Sequence, residues 1–125
     1  MATMIKFRAW YMPFGKYGAM QEMVYSRASH ILALAETEAE KYIPEQFTGL
    51  TDVNGNEIYE NDIIVSRPTE PILGSPKIGV VKLSKVSFSW CFVTGNNEYN
   101  IWKTDKYRTY EVIGNVHANP ELLVE

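Results

Sequence analysis

The sequence has a single cysteine and no long apolar run, and both absences restrict the class of protein. With Cys91 as its one cysteine, the chain of 125 residues cannot form an intrachain disulfide, which favours a reducing compartment. No apolar stretch reaches the roughly 18 residues of a membrane span. Lys6 and Arg8 interrupt the first apolar run, so the N-terminus lacks the order of a signal peptide. We therefore expect a cytoplasmic protein without a membrane partner.

Metal-ligand spacing is also absent. His30 and His117 lie far apart in the sequence, and zinc would need additional ligands that no local spacing indicates. Glu57, Glu60 and Asp62 cluster around a predicted strand start, but their spacing does not place all three on one strand face. A metal-dependent hydrolase is therefore the weakest functional hypothesis, and we expect no metal and no cofactor.

Three catalytic or binding templates fail at required positions. The segment that begins at Asp52 lacks the glycine and the glutamate of a calcium loop. Gly15 and Lys16 are not preceded by the glycine of a phosphate-binding loop. Cys91 is predicted to lie on the outward face of a strand, with no nearby group to activate its thiol. The sequence therefore predicts no catalytic residue and a protein that is not an enzyme.

Composition and charge indicate an ordinary globular domain with an uneven charge distribution. Hydrophobic residues make up 46% and charged residues 22%, which excludes wholesale disorder and fits one domain over residues 1–125. The net charge is −3, which argues against general nucleic-acid binding. Eight acidic residues and one basic residue fall within 31–66, a block typical of a solvated face.

Residues 1–46 are predicted to form a β-hairpin and one helix. Residues 4–11 alternate, with Phe7 and Ala9 on one face and Arg8 on the other, and 19–25 can return as the partner strand. Apolar residues at three-to-four spacing predict a helix over 29–43 that begins near Ser29 and is stopped by Pro44.

Residues 47–125 are predicted to contain strands and turns. Asp52-Val53-Asn54-Gly55 favours a turn, and strands are expected over about 57–67, 78–83, 86–93, 98–103 and 108–117. Residues 119–123 predict a short terminal helical turn. The fold class is therefore α+β and mainly β, with the C-terminal part a small SH3-like barrel or a strongly bent antiparallel sheet.

Aromatic residues beside cations give the candidate binding surface. The sequence holds three tryptophans, eight tyrosines and five phenylalanines, a high share for its length. Rings and cations adjoin at Trp102, Lys103, Lys106, Tyr107 and Arg108, a combination used for protein partners and for single-stranded nucleic acid. The same residues also fit half-buried cross-strand pairs with extended lysines, so a structural role stays open.

Three sequence blocks closely resemble the YopX family of phage and prophage proteins. These are IKFRAW at 5–10, TGLTDVNGNEIYENDII at 48–64 and EVIGNVHANPELL at 111–123, in the family's order and spacing. The family usually has glycine where this chain has Asn61, and asparagine also tolerates the left-handed conformation. The resemblance implies a small, mainly β protein with a barrel-like sheet, and it implies no activity.

The functional hypotheses follow from these observations together. The leading one is a non-enzymatic accessory protein of phage origin that binds a host or phage protein or self-associates, with loops 12–18 and 66–77 as variable surfaces. The alternative is a nucleic-acid-associated protein that uses the segment from Trp102 to Arg108. A homo-oligomer is compatible with the first hypothesis.

Overall fold

The structure is a computed structural model that describes residues 6–102 and 106–123. Two compact units divide the chain, one ending at Phe47 and the other beginning at Thr48. That both belong to one domain stays a prediction. No helix in the described ranges is long and apolar enough to cross a membrane.

In chain order, the elements are β1 (Phe7–Tyr11), β2 (Glu22–Ser26), α1 (Ala28–Thr37), β3 (Tyr42–Thr51), β4 (Glu57–Tyr59), β5 (Asp62–Pro68), β6 (Lys77–Leu83), β7 (Trp90–Thr94), β8 (Asn97–Asn100) and β9 (Arg108–Asn115).

The first unit is a hairpin, a helix and the beginning of β3. β1 pairs with β2 on one side and with β3 on the other, both antiparallel, which confirms the predicted N-terminal hairpin. α1 packs against β1, and Ile31 is its fully buried residue. The loop between β1 and β2 is held by Gln21, whose amide nitrogen donates to the carbonyls of Lys16 and Gly18 at 3.0 Å.

A buried ion pair crosses the hairpin sheet. Arg8 and Glu45 face each other on β1 and β3, and the Arg8 Nε donates to Glu45 Oε1 at 2.8 Å. Both side chains are almost completely buried. The alternation predicts one buried face of β1, with Arg8 on the other face. That prediction is wrong, because the centre of β1 is buried on both faces and Glu45 neutralises the Arg8 charge from the neighbouring strand.

The predicted helix is too long at its C-terminal end. α1 ends at Thr37, and the amides of Glu38 and Lys41 then close turns on the carbonyls of Leu34 and Glu38. The prediction that Pro44 stops the helix is wrong, because Pro44 lies inside β3 opposite Ala9. Pairing with β1 outweighs the helical spacing of this segment, whose propensity is a weak constraint beside a sheet edge.

The second unit contains a five-stranded antiparallel sheet with strand order β8-β7-β6-β5-β9. β3 continues into this unit, where β4 is its neighbour. The predicted strand over 57–67 is divided into β4 and β5 by a turn, and Asn61 takes a φ of 68° in it, as expected for the residue that replaces glycine. Residues 120–123 form the expected helical turn. The fold is thus mainly β with one α-helix in the described residues, which confirms the predicted class.

The five-stranded sheet is strongly curved. β7 and β9 are three steps apart in strand order, which in a flat sheet would separate them by about 14 Å. The rings of Phe92 on β7 and Tyr110 on β9 nevertheless have centroids 6.2 Å apart. A register shift between Ile63 and Ile64 bends β5, which lies between them in the sheet. The core of the second unit fills the concave face, and Phe92, Ile64, Val81 and Tyr110 are among its buried residues.

The predicted strand over 86–93 begins later than expected. β7 starts at Trp90, and residues 84–88 form a turn in which the Phe88 amide donates to the Ser84 carbonyl. Val86 and Phe88, predicted to face inward, are 86% and 79% exposed. The alternating pattern therefore extends beyond the strand, because Ser84 Oγ accepts amide bonds that turn the backbone.

Asp52 joins the predicted turn to the last strand. Its Oδ1 accepts the amides of Asn54 and Asn56 at 3.0 and 2.8 Å, and its Oδ2 accepts the amide of Val112 on β9 at 2.9 Å. Burial alone raises the pKa of the Asp52 carboxyl, but the bonds from Val112, Asn56 and Asn54 outweigh burial, so this pKa lies below its ordinary value. Asp52 is therefore both a local cap and a link across the fold.

Replacing Asp52 with alanine is expected to lower the free energy of unfolding by about 3 kcal/mol, because three backbone amides lose their acceptor. The wild-type carboxylate has a lowered pKa in the folded state, so its stabilisation is complete above the unfolded-state value of about 3.9 and is lost as pH falls through the folded-state pKa. Urea unfolding across that pH range should show this loss in the wild type and a smaller loss in Asp52→Asn. An alanine variant within about 0.5 kcal/mol of wild type would contradict the assignment.

Removing one member of the Arg8–Glu45 pair is expected to destabilise the first unit strongly. Glu45→Ala leaves a buried guanidinium without this carboxylate and should cost about 3–5 kcal/mol. The double variant Arg8→Met, Glu45→Leu should recover most of that loss, since neither buried charge of the pair remains. Chemical denaturation of both variants measures the difference, and a double variant as unstable as the single one would refute a charge-based origin.

Candidate binding cleft

An open cleft lies on the concave face of the five-stranded sheet. Its volume is about 410 Å³, and both edge strands of the sheet, β8 and β9, contribute to its wall. The side chains that give it its chemistry are four rings and two cations: Phe92, Tyr99, Trp102, Tyr110, Lys77 and Arg108. The cleft exists because the sheet curves and brings its two edge strands to one site.

Packing of aromatic rings forms the floor of the cleft. The Phe92 ring stacks on Tyr99 with centroids 5.3 Å apart and meets Tyr110 edge-on. Gly79 lies beneath these rings, since a Cβ at that position would come within 2.9 Å of Phe92 Cδ2 and 2.6 Å of the Val93 carbonyl oxygen. The absence of a side chain at Gly79 therefore allows Phe92 to lie across the sheet.

Both cations of the cleft are held in place. Arg108 Nε donates to Ser66 Oγ at 2.6 Å, and its Nη2 donates to the carbonyls of Ser66 and Ser75, both at 2.9 Å. Lys77 places its ammonium 5.2 Å from the centroid of the Tyr99 ring, a cation–π distance. Fixed cations beside flat rings lose little side-chain entropy when a ligand binds.

The structure separates the predicted surface residues into two groups. Trp102 and Arg108 line the cleft, whereas Lys106 and Tyr107 lie outside it and are exposed. Lys103 lies outside the described residues. Trp102 and Tyr107 are 60% and 62% exposed, so their rings are available at the surface.

Hydrogen bonds fix the backbone next to the cleft. Thr69 donates from its amide to the carbonyl of Tyr107 at 2.9 Å and from its hydroxyl to the carbonyl of Lys106 at 3.1 Å. These two bonds attach the start of the last strand to the end of β5. The exposed Tyr107 ring therefore projects from an anchored backbone.

Sequence reasoning missed Lys77 and Tyr99 as cleft residues. Neither lies within the segment from Trp102 to Arg108, and they come from β6 and β8, which are not adjacent in the sheet. Strand alternation places Tyr99 opposite Phe92, a signal that could have indicated a shared face. Only the curvature of the sheet brings Lys77 to Trp102.

The environment of Cys91 differs from the predicted surface position. Its side chain is fully buried, and its thiol donates to the Lys82 carbonyl at 3.4 Å and to Glu98 Oε1 at 3.5 Å. Burial, followed by the contact with Glu98, raises the pKa of the Cys91 thiol to about 11. The prediction of a surface residue is wrong, because the thiol is enclosed by contacts with Lys82 of β6 and Glu98 of β8, the strands on either side of β7.

Two of the three acidic residues considered for a hydrolase, Asp62 and Glu57, bond to groups close to them in sequence. Asp62 is buried, and its Oδ2 accepts the Tyr59 amide at 2.7 Å, which closes the turn between β4 and β5. Glu57 accepts a bond from the Tyr59 hydroxyl at 3.2 Å. Within residues 6–102 and 106–123, no three His, Cys, Asp or Glu side chains are arranged to hold a metal ion.

A second hollow, of about 1130 Å³, is lined largely by residues on the outer face of the same sheet. Ile78, Val80 and Val93 line it together with Leu122 and Leu123 from the C-terminal turn. Lys77 and Tyr99 also contribute to its wall, whereas Phe92, Trp102, Tyr110 and Arg108 line the first cleft alone. The first cleft therefore holds the larger number of aromatic rings.

Comparisons with known proteins agree with this architecture. The family model described as YopX protein matches residues 6–124. The crystal structure of protein EF1440 from Enterococcus faecalis is similar, with a TM-score of 0.53 and 23% sequence identity over 98% of this chain and 99% of that one. No curated protein matches the sequence. At this identity the structural likeness concerns the fold alone.

The Cys91 thiol is expected to resist modification in the folded protein. Because it is buried and its pKa is raised to about 11, it stays protonated near neutral pH and is inaccessible to an aromatic disulfide reagent. Denaturant should expose one reactive thiol per chain. Rapid stoichiometric modification of the native protein would contradict the described environment.

Proposed function

The chain belongs to the YopX protein family, and on that premise we propose that it is a non-enzymatic accessory protein of phage or prophage origin that acts as a protein-binding or self-associating module. The observation that carries this proposal is the cleft in which Trp102, Tyr99, Lys77 and Arg108 converge. We place its action in the cytoplasm of the host cell, and we regard the curved sheet as related to small SH3-like barrels.

The chemistry of the cleft supports recognition of a polypeptide. Tryptophan, tyrosine and arginine are the residues that most often dominate the energy of protein interfaces. Trp102 is 60% exposed beside this cleft and would bury a large apolar area on a partner. Arg108 is already positioned by Ser66 and Ser75, so less entropy is lost on binding.

The roles of the reactive side chains support the non-enzymatic part of the proposal. The Cys91 thiol is buried with a raised pKa, whereas a nucleophilic cysteine needs a lowered one. Asp52 and Asp62 accept backbone amides that close turns. These polar groups have structural partners, and the cleft presents cations and rings instead of a nucleophile with its base.

Nucleic-acid binding is the alternative function, and one observation favours it. Trp102 and Tyr107 are exposed rings near the cations Lys106 and Arg108, as in sites that stack single-stranded bases. The net charge of −3 opposes it, because nucleic-acid binders gain affinity by neutralising several phosphates.

Peptide selection against the intact protein tests the leading function. We expect a displayed library of random peptides to yield binders to the wild type, and Trp102→Ala to weaken them by at least about tenfold because the exposed tryptophan ring is lost. Tyr17→Ala is the matched control, since Tyr17 is a 93% exposed ring in the first unit. Isothermal titration measures each affinity, and sedimentation velocity tests self-association.

The same proteins are titrated with single-stranded DNA and RNA oligonucleotides. Salt-sensitive oligonucleotide binding that Trp102→Ala abolishes, without any selected peptide or self-association, would replace the protein-binding function with the alternative. If the selected peptides bind equally well to the wild type and to Trp102→Ala, the binding site is not the cleft and the proposal is contradicted. Thermal unfolding of both variants establishes that they are folded.

A further inference from the structure

The open edge of β8 adjoins the cleft. β8 pairs with β7, and no described strand pairs with its other side. Three of its residues, Glu98, Tyr99 and Asn100, contribute to the cleft. An unpaired strand edge presents backbone donors and acceptors to which another extended chain can bond.

The register identifies which backbone groups face outward. The Ile101 amide donates to the Trp90 carbonyl at 3.1 Å, and two residues earlier Tyr99 is paired with Phe92. In an antiparallel ladder every second residue bonds to the same neighbour. Tyr99 therefore directs its N–H and C=O toward β7, whereas Glu98 and Asn100 direct theirs away from the sheet.

The side chains at this edge give the cleft face a positive character. Strand alternation places Glu98 on the face opposite Tyr99, and its carboxylate oxygens lie 3.5 Å from Ser84 Oγ and from Cys91 Sγ. On the cleft face, Lys77 lies over the Tyr99 ring. Glu98 is part of the cleft wall, but its carboxylate is held at Ser84 and Cys91, and the cleft presents the Lys77 ammonium to any strand added at this edge.

We propose that β8 binds an extended, acidic segment of a protein partner as an additional strand of the five-stranded sheet. The backbone of that segment bonds to Glu98 and Asn100, and alternate side chains point into the cleft. There a carboxylate meets Lys77 and an apolar side chain packs on Trp102. This inference rests on the proposed function and names the conformation and the charge of the partner.

Two observations favour this occupant. Strand addition uses the outward N–H and C=O groups of a sheet edge, which only another polypeptide in extended form matches in spacing. Lys77 forms no ion pair with a carboxylate among the described residues. An acidic side chain of the partner would therefore meet an ammonium group that lies over the Tyr99 ring and is not neutralised. Acidic residues within the partner are therefore expected to add affinity.

Backbone N-methylation of a selected peptide tests the strand pairing with the unmodified protein. The probe is a selected peptide whose binding is weakened by Trp102→Ala, methylated at one amide at a time. We expect losses of at least about tenfold at alternate positions and little change between them, because every second amide bonds to β8. Titration calorimetry of each methylated peptide gives this profile.

A charge comparison tests the acidic specificity. Lys77→Glu is expected to weaken the peptide at least about tenfold at low salt, and replacing the contacting peptide acid with its amide should do the same. Lys85→Glu is the matched control, since Lys85 is exposed and outside the cleft. If Lys77→Glu does not fold, the acidic specificity is tested by the peptides alone, through the affinity lost when the peptide acid is replaced by its amide.

The outcomes separate this inference from the proposed function. Losses at consecutive positions, or an absence of acidic residues among the selected peptides, would overturn strand addition while leaving protein binding at the cleft intact. Failure to select any peptide, together with oligonucleotide binding that depends on Trp102, would overturn both.

Discussion

The packing of Phe92 across Gly79 is the contact on which the second unit depends. Phe92 stacks on Tyr99 from the neighbouring strand and meets Tyr110 from a strand three steps away. A flat sheet cannot bring these rings together, so their contact and the curvature of the sheet are one constraint. A side chain at position 79 would meet the Phe92 ring and the Val93 carbonyl, so this packing requires glycine there.

Polar groups in this protein divide by role. Asp52, Asp62 and Glu45 are buried and satisfied by amides or by a guanidinium, so each is costly to remove and none is presented to solvent. Lys77 and Arg108 are instead arranged around an open volume on the concave face. The acids that hold the fold together are therefore separate from the cations that line the cleft.

Errors in the sequence interpretation share a cause. Residues 38–43 continue a helical pattern, yet Tyr42 and Ile43 pair with β1, and sheet pairing gains more than one further helical turn. Residues 86–89 continue a strand pattern, yet Ser84 accepts the amides of Val86 and Ser87 at its Oγ and that of Phe88 at its carbonyl, which forms a turn. Strand alternation predicts Cys91 at the surface, because alternation alone does not reveal that both faces of a strand are covered. In each case a contact distant in sequence, or a side chain bonding to backbone, decided the outcome.

On its own, the sequence determined those features that depend on bonds between residues close together in the chain. Local chemistry accounts for the Asp52 turn, the left-handed Asn61 and the terminal turn at Pro120. The family resemblance was also visible in the sequence blocks alone. Trp102 and Arg108 were also indicated as surface residues, because a ring beside a cation is visible in sequence. The tertiary structure alone placed Lys77 and Tyr99 beside them and, among residues 6–102 and 106–123, left one edge of β8 without a neighbouring strand. Curvature and strand order arise from packing among strands distant in sequence, and no local pattern contains that information.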